Sequence, residues 1–131
     1  AAMEGALKMK EISYIPCEAY PAGELKHGTI SLIEKGSLTV ALCCNDYVFS
    51  KTANSIEEIR SRGGDIILIT TEKHTEDVTV INRKIIIPDT DDLFVTLLEA
   101  IPLQLLAYYT AKEKGCDIDK PRNLAKSVTV E

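Results

Sequence analysis

An α/β fold, a three-layer αβα sandwich built doubly wound on a mostly parallel sheet, is the class this 131-residue chain predicts, and three observations point to it. Two short apolar runs, TVALCC at 39–44 and IILITT at 66–71, have strand length and lack the alternation of a half-solvated strand. That is the pattern of parallel strands covered on both faces. Segments with helical spacing stand between and after these runs, so strands alternate with helices, which implies βαβ units with right-handed crossovers.

Taken in order, residues 4–14 read as a helix, because Ala6, Leu7, Lys8, Met9 and Lys10 favour that state and no proline intervenes before Pro16. Pro16 and Pro21 bracket 17–20, a candidate edge strand. Gly23 lets the backbone turn, and 24–33 reads as a short helix or irregular turn that carries His27 and Gly28. After the 39–44 strand, Asn45 and Asp46 are cap candidates for a helix whose Phe49, Thr52, Ile56 and Ile59 recur at helical spacing up to Arg62. Gly63 and Gly64 stop it.

The 66–71 strand follows, then a polar stretch, 72–83, with no clear element. Residues 84–87, before Pro88, read as a further strand. Asp89, Asp91 and Asp92 cap a long helix whose apolar positions include Leu93, Leu97, Ile101, Leu105 and Tyr108; Pro102 should kink it and Gly115 end it. In parallel sheets ligands bind beyond the carboxyl ends of the strands, which makes Asn45 and Thr71 candidates for lining a site. Residues 117–131 are polar and without periodicity.

Length and composition fit one domain over 1–131, of ordinary globular make-up. A net charge of -5 with no Lys/Arg cluster argues against a nucleic-acid partner. No apolar run reaches the length of a membrane span and the first residues lack a signal-peptide pattern, so no membrane partner and a cytoplasmic location are expected. Cys17, Cys43, Cys44 and Cys116 have no zinc spacing, and no metal site is expected. Cys43 and Cys44, inside an apolar strand, read as buried reduced thiols.

The chemistry-bearing stretches lie at the two ends. At about 100° per residue, Glu4, Lys8 and Glu11 share one narrow helical stripe. A solvated stripe with an i,i+4 pair, worth a few tenths of a kcal/mol, explains that pattern. A carboxylate beside an ammonium, with a histidine from a later turn, is also the inventory for moving a proton between adjacent carbons next to a carbonyl or imine. Spacing leaves both open. The polar tail likewise reads either as a solvated terminus or as a segment that folds over a pocket and delivers the amine of Lys126.

EGALKMKEISYIPCEAYPAGELKHG at the start and DKPRNLAKSVTVE at the end together resemble the last part of the glucosamine-6-phosphate synthase family, glutamine-dependent fructose-6-phosphate aminotransferases that isomerise their sugar. The ELKHG turn by itself resembles only a sugar isomerase (SIS) domain; NLAKSVTVE is far more specific. The resemblance covers nearly the whole chain, more weakly in the middle. It implies a second SIS repeat with 116–131 as a tail that contributes to the active site, fructose 6-phosphate and glucosamine 6-phosphate as ligands, and no cofactor.

By the same resemblance Glu11 matches the base that shuttles a proton between C1 and C2 of the open-chain sugar, and Lys8 the lysine that assists near the ring oxygen. His27 matches the histidine that opens the ring, contributed across a homodimer with a shared active site. Lys126 matches the amine that forms a Schiff base with the ketose; Glu4 is a supporting carboxylate and Ala125 a substrate-contacting position. An imine on Lys126 would acidify the neighbouring C–H bond, and the amine must be partly unprotonated to form it.

Thr29 stands where many relatives place proline after ELKHG, which alters the rigidity of the turn holding His27 more than its chemistry. The family's glutaminase domain and first SIS repeat, with its phosphate-binding loop, have no counterpart here, and the chain begins inside a helix without the strand that precedes it in the family. The expectations are therefore a fragment of an aminotransferase/isomerase, itself inactive in isolation, with a sheet short of its first strand. The alternative is a non-catalytic SIS module for sugar-phosphate binding or oligomerisation.

Overall fold

A computed structural model describes residues 1–78, 81 and 83–123. The chain divides into two compact units, Tyr20–Pro102 on one hand and Ala1–Ala19 with 103–131 on the other.

The Tyr20–Pro102 unit is organised on a parallel sheet of three strands in the order β1 (Leu38–Cys43), β2 (Asp65–Thr71), β3 (Lys84–Ile87). Register runs from Leu38 opposite Asp65 to Cys43 opposite Thr70, and from Leu68 opposite Lys84 to Thr71 opposite Ile87. β2 is the central strand, which explains its unbroken apolar run: Leu68 and Ile69 are both fully buried. Among the described residues no strand precedes Leu38, in keeping with a sheet short of its first strand.

Helix α2 (Phe49–Ser61) packs on one face of the sheet. Ile56 and Ile59, three apart on its inner side, meet Ala41, Cys43, Ile66 and Leu68 in a cluster that also takes in Leu25, Val78 and Ile81. Fully burying each aliphatic side chain of this size stabilises the fold by about 1.5–3 kcal/mol. Two 3-10 turns, Ala22–His27 and Thr29–Leu32, lie against this layer through Leu25 and Ile30. α2 ends where Gly63 adopts φ 83°, with Gly63 N–H bonded to Arg60 O and Gly64 N–H to Ile59 O. This is the double bond pattern of a glycine C-cap.

The first half of helix α3 (Val95–Glu113) places Glu99 near Cys44, just past the end of β1. Helices around a parallel sheet are the arrangement of an αβα fold. The buried positions of α3 fall at i+4 steps: Val95, Glu99, Leu103, Ala107 and Ala111. Leu93, Leu97, Ile101, Leu105 and Tyr108, the apolar positions singled out in the sequence, are exposed, Leu97 by 67%. Pro102 lies within α3, and the division between units falls directly after it. Lacking an N–H, it leaves the carbonyl of Leu98 without its helical donor.

The other unit holds helix α1 (Ala2–Ser13) and the second half of α3. Gly5 is buried there because a Cβ on it would stand 3.0 Å from Leu103 Cβ and Cδ1, so α1 approaches α3 backbone to side chain. α1 closes on Tyr14 in the left-handed region, φ 57°, whose N–H bonds Lys10 O. α3 ends as the sequence predicts: Gly115 has φ 68°, with Gly115 N–H on Lys112 O and Cys116 N–H on Ala111 O.

Three local expectations are corrected. Residues 17–20 form no strand, consistent with two flanking prolines that fix φ. Asn45 and Asp46 do not cap α2. Asn45 Oδ1 accepts the N–H of Tyr47 and Asp46 O that of Phe49, so they build a turn before the helix. The aspartates before α3 do the same: Asp91 Oδ1 accepts Leu93 N–H and Asp91 O accepts Phe94 and Val95 N–H, which delays the helix to Val95.

Candidate active site on the opening helix

Glu4, Lys8 and Glu11 lie on one side of α1, as their spacing predicts. Lys8 Nζ stands 2.7 Å from Glu11 Oε2 and 3.8 Å from Glu4 Oε1. Glu11 therefore holds the short, charge-assisted bond, and Glu4 adds a looser attraction one turn away. The hydrogen bond that Lys8 donates to Glu11, with both carboxylate charges behind it, holds the Lys8 ammonium above the usual lysine range against the desolvation that opposes it. Lys8 is accordingly a fixed positive charge.

The side chains of Glu11 and Lys8 are 25% and 33% exposed, half-buried and reachable by a ligand. Behind them Ser13 is fully buried, its hydroxyl donating to Met9 O at 2.6 Å. The stripe is thus mounted on a helix locked at both ends, by Gly5 against Leu103 and by the Tyr14 cap, and a rigid mount is what a base serving two adjacent carbons needs.

His27 ends the 3-10 turn Ala22–His27 in the other unit and is exposed. Gly28 follows with φ 134°, a conformation open to glycine, so the HG pair of the ELKHG turn is a backbone requirement as well as a chemical one. Ala125 and Lys126, with the rest of 124–131, lie outside the described residues.

Beyond the strand ends the candidates fare differently. Asn45 is spent on its own turn, and Thr71 is buried, its Oγ1 without a hydrogen-bond partner. A cluster with no local signature in the sequence lies there instead. His74 Nε2 is 2.7 Å from Asp46 Oδ1 and its Nδ1 2.9 Å from Asp77 Oδ2, while Lys73 Nζ reaches Asp46 Oδ2 at 2.7 Å. The His74 ring stacks on Phe49, centroids 3.9 Å apart.

A carboxylate on each nitrogen favours the protonated form of the imidazole. Partial burial works against that charge, but the bonds to Asp77 and Asp46 outweigh it and raise the pKa above the ordinary value. The 72–83 stretch looked featureless because its partners, Asp46 and Phe49, are distant in sequence.

Cys43 and Cys44 are buried, and burial pushes the Cys43 thiol up to about 11 and raises that of Cys44 as well. Neither is a nucleophile at neutral pH. Glu99 is the one charged side chain on the buried stripe of α3, and burial raises its carboxyl above the usual range. Among the described residues no group of acidic, histidine or cysteine side chains is arranged to hold a metal ion, and no helix is long and apolar enough to cross a membrane.

Comparison with known proteins shows the family of the chain. Residues 1–113 match the model of the SIS domain. The chain is 55% identical over 130 residues to the glutamine–fructose-6-phosphate aminotransferase (isomerizing) of Caldanaerobacter subterraneus subsp. tengcongensis and 53% identical to that of Clostridium tetani. Each match takes in 99% of this chain but 21% of the relative, so the chain spans about a fifth of the length of these curated relatives.

In structure it resembles the C-terminal domain of glucosamine-fructose-6-phosphate aminotransferase from Francisella tularensis, with TM-score 0.83 and 42% identity over 90% of this chain and 33% of that one. It also resembles a glucosamine-6-phosphate deaminase from Thermotoga maritima, with TM-score 0.72 and 27% identity over 98% of this chain and 36% of that one. With a parallel sheet layered by helices and a family match over most of its length, the chain belongs to the SIS domain family.

Proposed function

We propose that this chain is the carboxyl-terminal isomerase portion of a glutamine–fructose-6-phosphate aminotransferase, in which it serves the ketose-to-aldose step that yields glucosamine 6-phosphate. The carrying observation is the Lys8–Glu11 pair, a half-buried carboxylate held 2.7 Å from a fixed ammonium in a chain 55% identical to such enzymes. In this reading a neutral Lys126 amine attacks C2 of fructose 6-phosphate. The carbinolamine loses water to an imine, ammonia then displaces the Lys126 amine from C2 by transimination, and the resulting C2 imine makes the C1 proton acidic. Glu11 takes that proton from C1 and returns it to C2, alternating between carboxylate and carboxylic acid.

Lys8 balances the charge of Glu11 while it is ionised and stands near the sugar ring oxygen; Glu4 keeps the Lys8 ammonium on the stripe, and Ala125 contacts the substrate beside Lys126. His27, supplied by the neighbouring subunit of a homodimer, exchanges a proton with the ring oxygen as the sugar opens. Ammonia release from glutamine and anchoring of the sugar phosphate belong to polypeptide outside this chain. The setting is cytoplasmic, and 1–131 acts as one SIS domain whose tail, from 116, completes the site.

Glu11→Gln in the full-length enzyme tests the reading. The amide cannot accept the C1 proton, so isomerisation and exchange of the sugar C1 or C2 hydrogen with solvent should fall by about 10²–10⁴. Near-normal exchange would remove Glu11 from its role.

A further inference from the structure

The turn that carries His27 is fastened to helix α2 at points the reading above leaves unused. Ser55 and Glu58 stand three residues apart, on the side of α2 that meets the 3-10 turn Ala22–His27. The Ser55 hydroxyl, shared with Lys51 O of its own helix, donates to Ala22 O at 3.2 Å, where the turn begins. Lys26 Nζ reaches Glu58 Oε1 at 2.7 Å, one residue before His27. Between these two points Leu25 is buried in the cluster that holds Ile56 and Ile59. Downstream, Gly28 O accepts both the N–H of Ser31, at 3.0 Å, and its hydroxyl, at 2.6 Å.

These contacts do different things. Leu25 seats the turn through apolar burial and so bears on folding. The Lys26–Glu58 pair is open to water on the lysine side, 65% exposed against 28% for Glu58, and a pair of that kind adds little to the stability of a fold. What it fixes is direction. At three residues per turn Leu25, Lys26 and His27 project about 120° apart, so pinning the first towards the core and the second towards α2 sets the third. His27 accordingly faces outward, exposed.

Direction matters for a proton transfer to a single atom. Opening the furanose breaks the bond between C2 and the C5 oxygen; that oxygen takes up a proton and the anomeric hydroxyl gives one up, so the imidazole has to stand within hydrogen-bond reach of it. We propose that Glu58 is a positioning residue for ring opening: through Lys26 it fixes the direction in which the turn presents His27. This rests on the assignment of His27 to ring opening. The role needs no contact between Glu58 and the sugar.

The test compares fructose 6-phosphate with 5-deoxyfructose 6-phosphate, which lacks the hydroxyl that closes the furanose ring and so needs no opening, as substrates of the full-length enzyme with glutamine. The readout is the ratio of kcat/KM for the two sugars, which a variant that only loosens the fold leaves unchanged. Glu58→Ala should lower that ratio by about threefold or more, with about 10²-fold as the ceiling for a misplacement of about 1 Å. Glu57→Ala, which removes the neighbouring pair to Arg60 on the same helix, should leave it unchanged. Lys26→Glu and Glu58→Lys should each lower it, and the double variant, which restores the pair with its charges reversed, should recover most of the loss. His27→Ala should lower the ratio at least as far as Glu58→Ala. An unchanged ratio in His27→Ala overturns the ring-opening reading and the proposal with it. With the His27 effect present, an unchanged ratio in Glu58→Ala, or a double variant no better than the single ones, overturns the positioning role alone. Should the deoxy sugar not be turned over, recovery of the fructose 6-phosphate rate in the charge-reversed variant carries the decision.

Discussion

Lys8 shares its ammonium unequally between two carboxylates, 2.7 Å from Glu11 and 3.8 Å from Glu4, so its main partner is Glu11. Spacing alone placed these residues on one side of the helix; which carboxylate the lysine would favour depends on rotamers that spacing does not specify. His74 shows the converse. Two aspartates and a phenylalanine converge on it from other segments, and nothing local to 72–83 announces them. Its folded pKa is raised, so the folded state binds the proton more tightly than the unfolded chain does. The stabilisation is complete below the ordinary value of 6.5 and is lost as pH rises through the folded pKa. His74→Gln should therefore flatten the decline in thermal midpoint above about pH 6.5, with an effect below about 1 kcal/mol for so exposed a set of partners. Equal pH slopes in both proteins would contradict the clamp.

At the scale of elements, the strands were the most legible feature. Residues 84–87 form β3 as read, the 39–44 run is offset from β1 by one residue at each end and the 66–71 run lacks only the first residue of β2, because a buried parallel strand is apolar along its length. α3 was legible as a helix but not in its orientation. Leucine, isoleucine and tyrosine occupy the exposed side, while the buried stripe is made of Val95, Glu99, Leu103, Ala107 and Ala111, small or polar at three of five positions. Close approach explains the small residues, as it explains Gly5 opposite Leu103. Gly5→Val should destabilise the fold by about 1–3 kcal/mol through overpacking, seen as a lower urea midpoint at unchanged slope. Leu103→Ala should recover part of that loss in the double variant, and strict additivity of the two would show that they do not meet as described.

For the whole molecule, a chain that spans about a fifth of its curated relatives carries the helix and the histidine turn of the proposed site, and its sequence carries the tail lysine. The SIS assignment was legible because the ELKHG and NLAKSVTVE segments are specific; the position of the tail was not, since 124–131 lie outside the described residues. The isolated chain should form no glucosamine 6-phosphate from fructose 6-phosphate and glutamine, since the steps assigned to other polypeptide are lost with it. The central claim is that a tail amine and the acidic stripe of α1 act on one sugar. Borohydride reduction of the full-length enzyme with fructose 6-phosphate, followed by peptide mapping, measures this most directly. A reduced sugar adduct is expected on the peptide containing Lys126 and none in Lys126→Arg; an adduct on another lysine, or one undiminished by the substitution, would show that the tail amine does not form the imine.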